Sequence, residues 1–240
     1  MKKLILLIFL LFLTGCTPQK NIQLSSPSPA PSPQLITITV NQQAYSYVYA
    51  TIDDLSSLKL FSNHSQKLSS QELINQYSCQ ILVNGNFYDE FDRPLGWLVS
   101  DGRELSPVIK SALFNGFLSF STSKVEISAS PPSVSVNFGL QSGPLLILDQ
   151  KILPLKINND ESRRRVVAAL TANNQLVFLV INSPLLADAP GVVSAIGRQI
   201  NLPFVAAINL DGGSASAFYS PEVFLKEYSY IGSFFCYTNL

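Results

Sequence analysis

Short apolar runs, each cut off by a glycine or a polar pair, recur from Leu35 onward. This rhythm constrains the fold more than any other feature of the 240-residue chain. β-Branched and aromatic residues in runs this short, bounded by turn formers, favour strands over helices. LITITV and AYSYVYATI are two such runs on either side of a polar turn. GPLLILDQKIL reads as a hairpin turning at Asp149-Gln150, and RRVVAALTANNQLVFLVI as one turning at Asn173-Asn174. Residues 112–120, 124–128 and 133–138 read as a meander, and CQILVNGNFYDEFDRPLGWLVSDGREL as strand, glycine turn, strand. Helical signals are fewer. Asp53-Asp54 is placed to cap a short helix through Phe61. Residues 68–77, LSSQELINQY, have serine at the start, Glu72 in the first turn and apolar residues at helical spacing. PGVVSAIGRQINL reads as a third helix with Pro190 near its start. No period of about 20–50 residues recurs, which excludes a solenoid. The expected architecture is a single α+β domain. It is β-rich, with mixed or antiparallel sheets and about three helices packed on them.

The chain opens MKKLILLIFLLFLTGCTPQK, with Lys2 and Lys3 ahead of the unbroken apolar run Leu4–Leu13. Such a run is short for a bilayer span and follows the pattern of an export signal. Leu13-Thr14-Gly15-Cys16 resembles the lipobox of bacterial lipoproteins. That implies a signal peptide over residues 1–15, cleavage before Cys16, and acylation of its thiol, with palmitate among the chains. Residues 16–34 then comprise the lipidated cysteine and a Pro/Ser-rich tether, and residues 35–240 the domain. The expected location is the cell envelope, lipid-anchored on a periplasmic or extracellular face. Removing two lysines from 16 bases leaves 14 against 16 acids. That balance gives no reason to expect nucleic acid as a partner. Cys79 and Cys236 fit two readings equally: a disulfide closing a long loop, or two buried thiols.

The chain has one histidine, His64, in the polar stretch FSNHSQKL, where it reads as a solvated loop residue. A His-rich zinc site needs several such side chains. Chemistry therefore falls to carboxylates, arginine, amides and backbone N–H groups. Three glycine turns each follow an apolar run: ILVNGNFYDE, LQSGPLLI and INLDGGSAS. In the third, the strand fixes Asp211, while Gly212 and Gly213 remove side-chain bulk and leave N–H groups free to bind an anion. Taken alone, the motif also fits an ordinary hairpin turn.

Four blocks occur in order over residues 83–219: VNGNFYD with RPLGWLVSDG, then LQSGPLLI, then RRVVAALTANNQLVFLVI, then AAINLDGGSASAFY. Together they resemble the phosphodiester glycosidase domain, the family of the lysosomal uncovering enzyme and its bacterial relatives. The retained residues include Asn84, Gly85, Phe87, Gly96, Gln141, Gly143, Arg165, Asp211, Gly212, Gly213 and Ser216. The departures are Asn86, Tyr88, Ala169, Asn174, Ser214 and Ala215.

The resemblance implies hydrolysis of a sugar-1-phosphodiester at the glycosidic C–O bond, giving free sugar and a phosphomonoester. A phosphomonoester has a second pKa of about 6 and leaves without a strong general acid, so histidine is dispensable. On this reading the catalytic set is Asp211, Arg165, Asn84 and Asp89. Asp211 is the base or nucleophile, or else orients a sugar hydroxyl; Arg165 binds the phosphate; Asp89 is the second carboxylate or, on an equal footing, a turn residue. Gly85, Phe87, Gly96, Gln141, Gly143, Arg163, Gly212, Gly213 and Ser216 are expected to contact substrate. Strand alternation sets Arg163 on the face of Arg165 and turns Arg164 to solvent. The expected partner is a sugar phosphodiester or envelope polysaccharide. No organic cofactor is implied, and a divalent cation stays open. Two competing readings fit the same residues. One is a non-catalytic carbohydrate-binding lipoprotein of polysaccharide export. The other is a metal-dependent phosphoesterase using Asp211 and Asp89.

Overall fold

The computed structural model describes residues 35–121 and 124–238. The expected signal peptide, the acylated Cys16 and the tether lie outside the described residues. Three sheets, antiparallel at every pairing, carry the fold. The largest has seven strands, in the order Ile36–Val40, Gln43–Ile52, Leu176–Ile181, Arg165–Thr171, Phe204–Asn209, Leu145–Leu148 and Lys151–Ile152. Its central strands are apolar at nearly every position because both faces are covered. Val166, Ala168, Phe178 and Ile208 face Leu60, Val83, Leu118 and Leu140 of the other two sheets. Val167, Ala169, Leu179 and Ala207 face Val192, Val193 and Ile196 of the helix Ala189–Gln199.

The second sheet runs Val223–Leu225, Phe218–Ser220, Ile81–Asn84, Ser233–Tyr237 and Leu58–Ser62. The helix Ser70–Tyr77 buries Leu73 and Ile74 in a cluster with Leu82 and Phe234 of that sheet. Its start follows from sequence. Ser69 accepts from the Glu72 N–H, and the Glu72 carboxylate reaches back to Ser69, a reciprocal cap. The third sheet runs Arg103–Ser106, Leu98–Ser100, Phe138–Ser142, Gly116–Ser121 and Lys124–Ser128.

The expected α+β class with about three helices is corrected by this architecture. The described residues hold three sheets and two α-helices, and the fold is mostly β. The helix expected through Phe61 is only a 3-10 turn, Leu55–Ser57, followed by the strand Leu58–Ser62. Asp54 does cap that turn, accepting from the Ser56 N–H at 2.9 Å. Beyond it, buried Leu58 and Leu60 alternate with exposed Lys59, and that period of two pairs with Ser233–Tyr237. The strand expected over 133–138 is also displaced: pairing begins at Phe138.

Cys79 and Cys236 form a disulfide across a separation of 157 residues. It ties the segment after the helix Ser70–Tyr77 to the strand Ser233–Tyr237. In the chain-entropy account, a loop this long restricts the unfolded ensemble strongly. Replacing both cysteines by alanine is expected to destabilise the domain by about 3 kcal/mol. Scanning calorimetry should show a fall in Tm of roughly 6–12 °C.

Candidate active site

The strand Phe204–Asn209 lies inside the large sheet, and its exit delivers Asp211. The backbone there is held from three directions. Leu210 N donates to Val166 O at 2.8 Å and Asp211 N to Gly85 O at 3.0 Å. Buried Asn84 donates from Nδ2 to Asp211 O at 2.7 Å and accepts at Oδ1 from Ala217 N at 2.9 Å. Asn84 thus pins both ends of the turn that carries the two glycines. A Cβ on Gly212 would come within 2.7 Å of Arg164 O. Gly213 N donates to that same carbonyl at 2.8 Å, and Gly213 takes φ +62°. Gly212 therefore answers to close packing on the neighbouring backbone, and Gly213 to its left-handed conformation.

Burial pushes the Asp211 carboxyl up to about 7, against the lowering effect of the Gly212 N–H, which donates to Oδ1 at 2.8 Å. Burial also raises the phenols of Tyr88 and Tyr230, and the charge of Asp211 adds to both rises. Those rings pack 4.4 Å apart, and Tyr88 Oη donates to Tyr230 O. Tyr230 Oη donates to Asp92 at 2.8 Å, and Asp92 is ion-paired with Lys67.

Among the described residues, Asn86 Nδ2, Asn209 Oδ1 and Ser216 Oγ, on the segments that hold the Asp211 turn, are buried without a hydrogen-bond partner, as are His64 Nε2 and Tyr47 Oη elsewhere. Folded domains leave few such atoms, so three around one turn are informative. His64 was expected to be solvated. It is half-buried, its ring within 6.3 Å of the Tyr88 ring and its Nδ1 3.1 Å from Asp92 O. It packs so closely on Gly232 that any Cβ there would collide with the imidazole. Burial lowers its pKa from the ordinary imidazole value, against the raising effect of Asp92.

Several expected site residues are committed to the fold. Gln141, 2% exposed, accepts from Trp97 N and Ile109 N and donates to Ile109 O and Phe114 O. That fills the amide. Gly96, at φ +91°, lies where a Cβ would meet Gln141 Oε1 at 2.9 Å. A Cβ on Gly143 would strike Leu113 O, and one on Gly85 would strike Ser233 Oγ. Phe87 packs on Phe114 with centroids 4.9 Å apart. Asp89 caps its own loop. It accepts from Phe91 N and Arg93 N and pairs with Arg93 at 2.7 Å. Its carboxylate is thereby occupied within its own loop, as the turn-residue reading expects. Ser216 is fully buried beside the pinned Ala217.

The arginine run is also rearranged. Arg165 begins a strand and shares the face of Val167 and Ala169, toward the helix Ala189–Gln199. Its guanidinium meets Asp160 at 3.4 Å and donates to Glu161 O at 2.7 Å, so it is not a free phosphate ligand. Arg163 precedes the strand, pairs with Glu161 and lies beside Gly213. Arg164, expected to face solvent, has no carboxylate partner among the described residues. Its Nη1 meets Ser216 O and Lys226 O, each at 3.3 Å.

Two clefts meet at Arg164 and Tyr228. One, of about 750 Å³, is lined by Lys67, Glu72, Arg164, Lys226, Tyr228 and Tyr230 among others. The other, of about 440 Å³, is lined by Arg163, Arg164, Asn182, Ser183, Gly213, Ser214 and Tyr228. Among the described residues, no group of three His, Cys, Asp or Glu side chains is arranged to hold a metal ion.

A family model described as phosphodiester glycosidase matches residues 77–233. Among solved structures, the fold is similar to the zebrafish N-acetylglucosamine-1-phosphodiester alpha-N-acetylglucosaminidase catalytic domain, described as auto-inhibited by its pro-peptide. That match has a TM-score of 0.67 at 13% identity and covers 86% of this chain and 82% of the zebrafish one. A hypothetical protein from Synechocystis matches with TM-score 0.59 at 12% identity, over 84% of this chain and 61% of its own. A putative exported protein from Burkholderia pseudomallei matches with TM-score 0.56 at 11% identity, over 82% and 74%. At these identities the likeness is one of fold. No curated protein matches the sequence.

Proposed function

The chain belongs to the phosphodiester glycosidase family, and from that premise we propose that it hydrolyses a sugar-1-phosphodiester at the glycosidic C–O bond. The observation that carries this reading is Asp211, a carboxyl fixed by three backbone contacts and pushed to about 7 by burial. A base near neutrality combines a useful ionised fraction with real basicity. Ionised Asp211 takes a proton from water as the water oxygen bonds to the anomeric carbon. The bond from that carbon to the phosphate oxygen breaks, and its electron pair leaves with the phosphomonoester. No acid is needed for that departure. Arg164, with no carboxylate partner among the described residues, holds the phosphate charge. Asn84 acts as a positioning residue, because its amide fixes the main chain of Asp211. The lipobox ahead of Cys16 supports an envelope setting for the reaction.

The test is product analysis with residues 35–240 and an N-acetylglucosamine-1-phospho-sugar diester. Free sugar and phosphomonoester are expected, with a rate loss of about 10²–10⁴ in Asp211→Asn. Sugar-1-phosphate as product would mean P–O cleavage and a phosphoesterase instead.

A further inference from the structure

We propose that a cleft at the start of the helix Ala189–Gln199 is a second carbohydrate site, which holds a neutral sugar residue and does no chemistry on it. Such a site does not depend on turnover at Asp211. The cleft has a volume of about 430 Å³, in the range of small-molecule sites, and shares only Ser183 with the two clefts at Arg164. One wall is the turn of the first hairpin, with Asn41 and Gln43, and the other is the segment that leads from Ile181 into the helix. Both walls are held in place. Asn182 N donates to Ser46 O at 2.8 Å and Asn182 Nδ2 to Ser46 Oγ at 3.0 Å. The Asp160 carboxylate accepts from Leu186 N at 3.0 Å and from Ala187 N at 2.8 Å. Walls fixed in advance lower the ordering cost of binding.

Tyr45 lines this cleft and is 6% exposed, packed in the cluster that holds Val192 and Ile196. Its hydroxyl has no hydrogen-bond partner among the described residues, an uncommon state for so buried a phenol. Burial raises that phenol above its ordinary value, and the charge of Asp188 adds to the rise. Asp188 stands at the N-cap of the helix, yet its side chain makes no cap bond, and it has no ion pair among the described residues. Gly191 is unexplained by the fold. A Cβ there would meet nothing within 4 Å, and its φ lies outside the left-handed region. Glycine is less stable than alanine inside a helix, so packing and conformation both favour another residue. What glycine preserves is open space beside its own N–H, in the first turn, where the helix has no acceptor to offer. These groups select the ligand. The amides and the N–H donate, the carboxylate accepts, and the phenol does both. No lysine, arginine or histidine lines the cleft, so an anion finds no countercharge. The positive end of the helix dipole offsets the carboxylate, so a cation is not favoured either. Vicinal sugar hydroxyls, each able to donate and accept, match this set. Leu185 and Val192 offer apolar surface to the C–H face of the ring.

Residues 35–240, which contain all three sheets and their core, are titrated by isotope-edited NMR with four neutral probes. These are glucose, N-acetylglucosamine and the trisaccharide of each. Saturable shifts at the Gly191 and Asn41 amides are expected with at least one of them. A monosaccharide that binds as tightly as its trisaccharide marks free sugar as the ligand, and a tighter trisaccharide marks a residue within a glycan. Gly191→Leu fills the cleft and is expected to melt at or above the parent, since its side chain enters open space. Tyr45→Phe removes a single oxygen. Each should weaken binding tenfold or more and leave the rate on the N-acetylglucosamine-1-phospho-sugar diester unchanged. A Gly191→Leu protein that melts well below the parent leaves Tyr45→Phe to decide. No saturable shift with any of the four probes overturns the proposal. So do shifts confined to the residues around Asp211 and Arg164, or binding that a folded variant leaves intact. Each of these readings holds in a chain that cleaves no diester, where the hydrolytic reading alone has failed.

Discussion

At pH 8 the Asp211→Asn protein is expected to melt above the parent chain, and at pH 4 the two are expected to melt together. The carboxyl titrates near 3.9 in the unfolded chain and at about 7 in the fold, where burial opposes its charge. Below pH 4 both states carry the proton, and the substitution changes little. Between pH 4 and 7 the unfolded chain loses its proton first, so the parent loses stability as pH rises. Above 7 the folded domain carries a buried charge. A shift of this size corresponds to at most about 4 kcal/mol, and the residue is only partly covered, so about 2–3 kcal/mol is expected. Asparagine cannot ionise, and its Oδ1 can still accept the Gly212 N–H. The gain should appear as roughly 4–10 °C in Tm at pH 8, measured in a melting series from pH 4 to 9. The rate should move the other way: kcat/KM of the parent rises through pH 7 and levels off as Asp211 ionises. A group that destabilises its own fold while supporting turnover is a site maintained for chemistry. A loss of Tm at pH 8 would instead make Asp211 a structural anchor.

Local signals in the sequence lead to the right elements where neighbours in the chain decide the outcome. Asp149 and Gln150 adopt φ +49° and +64°, and Asn174 +60°, so the two hairpins turn where polar residues tolerate the left-handed region. The helix Ser70–Tyr77 is announced by its own cap. Distant partners decide the rest. Leu58 and Leu60 become strand only because Ser233–Tyr237 supplies the ladder. Gln141 stands in a glycine turn as a ligand would, and the four backbone groups that satisfy it come from Trp97, Ile109 and Phe114. His64 looks solvated among polar neighbours, yet Gly232, far along the chain, leaves the space that lets it pack against Tyr88. Its signal was chemical rather than positional, since a lone histidine near a glycine-rich site is worth placing before dismissing. Tyr228 and Tyr230 carry no motif, and only the fold brings them to the Asp211 turn.

Alternation groups Arg163 with Arg165, and both meet Glu161 while Arg164 turns to Ser216 O and Lys226 O, but it says nothing of their partners. The partner of Arg165 has a large energetic consequence. Arg165 and Asp160 are an almost enclosed pair, with side chains 11% and 10% exposed. Asp160 also accepts from Leu186 N at 3.0 Å and Ala187 N at 2.8 Å, fixing the approach to the helix Ala189–Gln199. Replacing Asp160 by alanine strands the guanidinium and frees both N–H groups. A loss of about 3–5 kcal/mol is expected. Arg165→Met leaves a carboxylate with two N–H donors, so its loss should be smaller, about 2–3 kcal/mol. The double variant should lose less than the two single losses combined, because each substitution removes the charge that the other strands. Urea unfolding of the four proteins measures this coupling. A phosphate ligand would behave otherwise: Arg165→Met would leave the urea midpoint unchanged while raising KM for the diester. Arg164→Met reverses the pattern, with a small change in midpoint and a KM rise of about tenfold or more, since its guanidinium rests on two long carbonyl contacts at 3.3 Å.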